Sequence, residues 1–161
     1  MLVLLDLVIL CGLLSLIAYL GTGSDAKNLK SFSSYPKAIQ ERIRKNPKHD
    51  GKFREQNPVV SFIVNFVIFG IVIFLLGILV RTDNFWLNFL YLNVIGQLAN
   101  VFDLVVLDML WWRNSKRTRI SGTEDMHKEY QDLTPHVQSF VRAIVMFALI
   151  AAVDGILLTL F

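Results

Sequence analysis

The chain is expected to be an all-α, polytopic integral membrane protein: four transmembrane helices in a single membrane domain, with a short cytoplasmic amphipathic helix. Three observations predict this. The 161 residues are 54% hydrophobic and only 18% charged, with a mean hydropathy of +0.51. The apolar residues collect in four blocks, each close to the ~20 residues a helix needs to cross a bilayer. Those blocks are apolar nearly all round, whereas a helix packed on a soluble core is apolar along one stripe. The length leaves no room for a separate soluble catalytic domain.

The first helix is predicted at 2–20, broken only by Asp6, Ser15 and small residues. It has the length of a signal peptide but no basic n-region, and residues 21–25 lack a small-x-small cleavage pattern, so it is expected to be retained. The second helix, 58–80, opens with Asn57-Pro58, an N-cap followed by proline at the first helical position. Residues 81–84 then form a tight hairpin into the third helix, 85–112. Thr134-Pro135 repeats the cap-plus-proline signal before the fourth helix, 135–160.

Positive charge sets the orientation. The connection 21–57 carries nine Lys/Arg against four Asp/Glu, and the connection 113–134 begins Arg-Asn-Ser-Lys-Arg-Thr-Arg. Both long connections are therefore expected in the cytoplasm and both termini outside, in a multi-pass plasma-membrane protein. The net charge of +3 reads as this topology signal and not as nucleic-acid binding. Within 36–46, Ile39 and Ile43 stand four apart behind Tyr35 and are ringed by Lys37, Arg42, Arg44 and Lys45. This fits a helix lying on the anionic inner leaflet, or a solvated basic loop. Ser121-Gly-Thr-Glu124 matches a capping box and predicts a short helix to about Tyr130.

Several residues have ordinary readings. Trp86, Trp111 and Trp112 mark the ends of the third helix, where they are expected to anchor at the headgroups. Gly70, Gly77, Ala148, Ala152 and Gly155 suit close helix packing. The single cysteine, Cys11, cannot form an internal disulfide and reads as a small buried apolar side chain. Metal binding through cysteine is excluded with it, no HExxH, DDxxD or DxDxT-type spacing is present, and the residues name no cofactor.

The third helix carries the exception. Asn93, Gln97 and Asn100 fall on one narrow stripe at about 100° per residue, with Asp108 at one edge and Asp103 at the other. Such groups cost several kcal/mol each in hydrocarbon, so the stripe must face protein, water or a ligand. At 1.5 Å per residue, Asp108 lies about 6 Å inside one end of its helix and Arg142 about 10 Å inside the same face of the fourth, which nominates them as partners. Asn65 reaches a similar depth on the second helix. Asp103, deeper and without an evident cation, is the expected functional carboxylate. A second group, Asp6, Asp154, Arg81 and Asp83, lies near the opposite surface.

Phe102-Asp103-Leu-Val-Val-Leu-Asp108-Met-Leu-Trp111-Trp112, followed by Arg119-Ile-Ser-Gly122-Thr123-Glu124-Asp125-Met126, resembles an uncharacterised group of small four-helix bacterial membrane proteins. The resemblance covers about 25 residues. It carries no activity, and implies at most that Asp103, Asp108 and the Gly122 to Asp125 turn share a site.

Two principal functions compete. One is a membrane-embedded binding or transport protein with a polar site for an ion, proton or small polar ligand, formed by Asp103, Asp108, Asn100, Gln97, Asn93, Asn65 and Arg142. Four helices would then act as a homodimer or with another membrane protein. The other is an inner-leaflet enzyme acting on a lipid or isoprenoid phosphate. Asp103 and Asp108, with Glu124, Asp125, His127 and His136, would supply acid–base groups or hold Mg²⁺ to a phosphate, and Arg113, Lys116, Arg117 and Arg119 would receive phosphate. His127 and His136 read more simply as solvent-facing loop residues. A third reading is an accessory or scaffold subunit of a membrane complex.

Overall fold

The computed structural model describes residues 2–160, and these are all-helical. Its elements are α1 (Leu2–Leu20), α2 (Asp25–Asn28), α3 (Lys37–Arg44), α4 (Pro58–Ile78), α5 (Phe85–Phe102), a π-helical segment (Asp103–Trp112) that continues α5, and α6 (Thr134–Leu160). Four helices are long and apolar enough to cross a membrane, with α5 and its π continuation forming one stretch of 28 residues. The described residues fall into two compact units.

The first unit holds α1 as far as Gly12, residues Asn57–Phe102, and α6 from Phe140 onward. Asn57 caps α4 as its sequence predicts: Oδ1 accepts from the Val59 amide at 2.9 Å and more weakly from Val60 at 3.4 Å. The hairpin into α5 is tied by Asn88, whose Oδ1 accepts from the Thr82 amide at 2.9 Å. The Asn88 amide group donates to Thr82 O at 2.8 Å and to Thr159 Oγ1 of α6 at 3.1 Å. Ile73, Leu92, Ile95, Phe147, Ile150 and Leu158 form the core. Small residues permit close approach. A Cβ on Gly96 would lie 2.9 Å from the Phe147 ring, and one on Gly77 would lie 2.6 Å from Leu158. By contrast Gly70 has open space around it. The outward faces remain apolar, including Val59, Ile71, Leu87 and Val145, far more than a monomeric soluble fold exposes.

The second unit joins Leu13–Gln56 to Asp103–Ser139, so the two basic connections fold on one another. Leu29, Phe32, Tyr35, Ile39, Ile43, Trp112, Ile120, Met126 and Tyr130 form its core. This corrects the reading of α3. Ile39 and Ile43 are fully buried in that protein core, so the apolar edge of the amphipathic helix is already covered and is not turned to a leaflet. Trp112 is likewise a core residue at 8% exposed, whereas Trp86 remains 67% exposed and suits an interfacial anchor.

Cross-chain hydrogen bonds register the two connections. Asn28 Nδ2 donates to the carbonyls of Arg117 and Arg119 at 2.9 and 3.1 Å, and Tyr35 donates to Thr118 O at 2.8 Å. The capping-box helix does not form. Gly122 adopts φ +85°, and the Glu124 carboxylate folds back to accept from the Gly122 amide at 2.9 Å. Only a single 3₁₀ turn, Glu129–Gln131, follows. At α6, Thr134 is the first helical residue instead of the cap, and its amide donates to Asp132 Oδ1 at 2.9 Å.

Candidate functional site

A change of winding gathers the strongest polar groups. In an α-helix, positions five apart diverge by about 140°, which puts Asp103 and Asp108 at opposite edges of a stripe. From Asp103 to Trp112 the backbone is π-helical, with i→i+5 bonding that closes at Arg113 N to Asp108 O, 3.2 Å. Wider turns swing positions five apart toward one face. Asp103 accordingly lies within electrostatic range of both Asp108 and His136.

Asp108 meets His136 Nδ1 through its Oδ1 at 2.9 Å, with both side chains largely enclosed. The imidazole also packs edge-on against Trp112, its ring centroid 4.6 Å away. His136 is therefore not a solvent-facing loop residue. It sits in the first turn of α6 and is 6% exposed. Its Nε2 is buried without a hydrogen-bond partner. The imidazole held through Nδ1 thus has a second nitrogen that is enclosed but makes no hydrogen bond. Where Arg142 was expected as the partner of Asp108, the contact seen is with His136, and Arg142 is an exposed residue of α6.

The amide stripe serves another end. Gln97 donates to Ile144 O at 3.0 Å and to Asn93 Oδ1 at 3.3 Å, while Asn100 donates to Phe140 O at 3.2 Å. Both carbonyls belong to α6, so the amides bind one helix to its neighbour. Asn65 faces outward from α4.

The basic groups nominated for phosphate are mostly engaged by protein. Arg113 donates to Gln131 Oε1 at 2.9 Å. Arg117 donates to Tyr19 O and Thr22 O at 3.1 and 3.2 Å, and its guanidinium stands 4.0 Å from the Tyr19 ring centroid. Arg119 lies 3.8 Å over the Tyr130 ring, and burial pulls its guanidinium below the ordinary arginine value, against the opposing influence of Tyr130 and Tyr35. Lys116 and His127 are exposed.

The Gly122 to Asp125 turn has its own partners. Ser121 N donates to Asp25 Oδ1 at 3.0 Å, Ser121 O meets His49 Nε2 at 2.8 Å, and Asp125 pairs with Arg42 at 3.1 Å. It reaches the Asp108–His136 pair only indirectly. Thr123 Oγ1 bonds the Tyr130 hydroxyl at 2.8 Å, and Tyr130 packs against Trp112, which packs against His136.

His136 entered the sequence reading only as an acid–base candidate of the enzyme alternative, with a solvent-facing loop position as its simpler reading. Its signal was positional: it stands two residues into a helix whose start faces the same side as the end carrying Asp108. Chemically, the constellation sets a carboxylate and an imidazole at hydrogen-bonding distance, an arrangement in which a proton can be shared. No group of three or more His, Cys, Asp or Glu is arranged to hold a metal among the described residues. Comparison with protein-family models, curated proteins and solved structures finds no match to the chain.

Proposed function

We propose that this is a membrane-embedded proton-binding protein of the transport class, with Asp108 and His136 as the proton-binding pair and Asp103 as the adjacent carboxylate. The observation that carries the reading is the 2.9 Å Asp108–His136 contact with His136 Nε2 buried and unpartnered. A carboxylate on Nδ1 fixes the orientation of the imidazole, while Nε2 is the ring nitrogen without a hydrogen-bond partner. Asp103 supplies a second acceptor beside it. Because Gln97 and Asn100 are committed to α6 carbonyls, a proton suits the site better than a polar solute that would need those amides.

The basic connections favour a plasma-membrane orientation with both termini outside, which would put the pair near the cytoplasmic face. A transport pathway through four-helix chains would be completed by a homodimer or by another membrane protein. The enzyme reading shares the key geometry, since an Asp-oriented imidazole with a free Nε2 is also a general base. It is disfavoured by the engagement of Arg113, Arg117 and Arg119.

The test is proton flux into liposomes containing the purified protein and a trapped pH indicator. His136→Gln and Asp103→Asn should each fold yet reduce flux to that of empty vesicles. Wild-type flux in both variants would end the transport reading. Headgroup release from added lipid that disappears in His136→Gln would establish the enzyme instead.

A further inference from the structure

The helix α4 carries two polar side chains within its 21 residues, Ser61 and Asn65. Asn65 stands seven residues past Pro58, about 10 Å inside the helix at 1.5 Å per residue. Elsewhere in the first unit, amides bridge helices: Asn88 reaches Thr159, Gln97 the Ile144 carbonyl and Asn100 the Phe140 carbonyl, all on α6. Asn65 is instead exposed, and its carboxamide has no hydrogen-bond partner among the described residues. A carboxamide both donates and accepts. At that depth hydrocarbon offers it neither water nor a headgroup, so leaving it bare is costly.

Its place on the helix says what can cover it. Ser61, Asn65, Ile68, Val72 and Leu75 follow one another by alternating steps of four and three. At about 100° per residue they fall within about 80° of one another. This is the heptad seam along which two helices pack with a slight left-handed crossing. On the adjoining face, Phe62, Phe66, Phe69 and Ile73 turn to the chain's own core. Asn65, Ile68 and Leu75 stay exposed, and Ser61 and Val72 are half-buried.

We infer that this seam is the contact between two copies of the chain, paired through Asn65 of each. Copies inserted the same way are related by a two-fold axis along the membrane normal. Their α4 helices then run parallel and bring both carboxamides to one depth. The group is self-complementary, so each side-chain nitrogen donates to the other copy's side-chain oxygen. A single asparagine in an otherwise apolar seam also fixes its register. An unrelated membrane protein would need a polar group matched in depth and azimuth, whereas a second copy brings one by symmetry. The pairing rests on α4 crossing the bilayer, and stands whether or not Asp108 and His136 bind protons.

The experiment is oxidative cross-linking of the full-length protein at high dilution in liposomes, with single cysteines in a background where Cys11 is alanine. Ile68→Cys and Leu75→Cys should form covalent dimers. Ile63→Cys and Val67→Cys, likewise exposed on α4 but about 120–160° round the helix from the seam, should not. All four variants keep Asn65, so they read the face without disturbing it. Adding Asn65→Leu, which suits a lipid-facing position, should lower the Ile68→Cys dimer yield several-fold. His136→Gln should leave that yield unchanged, which separates this interface from the Asp108–His136 pair. The assignment is overturned by a yield that Asn65→Leu does not alter, by cross-links at Ile63→Cys and Val67→Cys instead, or by none at any of the four positions. Ile68→Cys joined to a different protein in cell membranes would overturn it as well.

Discussion

Asp108 and His136 are both largely enclosed, and each is relieved by the other. A carboxylate whose side chain is only 18% exposed and an imidazole at 7% are poorly hydrated, so their contact replaces water that neither can recover alone. Removing one partner strands the second, which costs about 3–5 kcal/mol where burial is complete, and less for Asp108 because part of it reaches solvent. Asp108→Ala and His136→Ala should therefore each lower the unfolding temperature in detergent. Their double variant should be less destabilised than the sum by about 0.5–3 kcal/mol. Additive effects would show that the two are not energetically coupled. His136 was not nominated as the Asp108 partner from sequence for a physical reason: helical rise gives depth, but not the azimuth at which a side chain leaves its helix.

At the scale of elements, long apolar helices were legible because periodicity and composition act locally. Their bounds, the Asn57 cap and the hairpin before α5 all follow from contacts within a few residues. What required tertiary information was the π-helical winding from Asp103 to Trp112, which realigns the two carboxylates, and the burial of α3 against a connection about 80 residues further along, as in the Arg42 to Asp125 contact. The capping-box motif was overridden likewise, because Asp25 and His49 hold Ser121 and leave Glu124 to satisfy the Gly122 amide. This turn has a definite pH response. That backbone hydrogen bond holds the Glu124 carboxyl below the ordinary glutamate value. A depressed folded-state value contributes order that is present above the unfolded value, about 4.3, and is lost as pH falls through the folded one. Hydrogen exchange at the Gly122 amide should accelerate on acidification relative to its neighbours. Glu124→Gln should remove that acid-dependent step, and an unchanged step in the variant would assign it to another group.

For the whole molecule, the distribution of charge and the two compact units bear on one question, which is how the chain is threaded. The basic residues concentrate in the segments that form the second unit, while the turn between α4 and α5 carries Arg81 and Asp83. If positive charge governs insertion, both segments of the second unit must stay on the side of synthesis. Their shared core supports this, since Phe32, Ile39, Ile120 and Tyr130 can be buried together only if both connections occupy the same compartment. A topology that separated them would expose that apolar surface and leave the carbonyls of Arg117 and Arg119 without Asn28. The prediction is that single cysteines at Lys30 and Lys116, both exposed, react alike with a membrane-impermeant thiol reagent, in a background where Cys11 is alanine. A cysteine at the exposed Asp83 should react oppositely: labelled in intact cells, while the first two are labelled only after permeabilisation. Position choice matters, because Ile120 is 1% exposed and would be silent from either side. Reaction of Lys116→Cys from outside intact cells, with Lys30→Cys protected, would break both the threading and the common core. Reaction of both from outside would preserve the core and invert the membrane orientation, moving the Asp108–His136 pair to the external face.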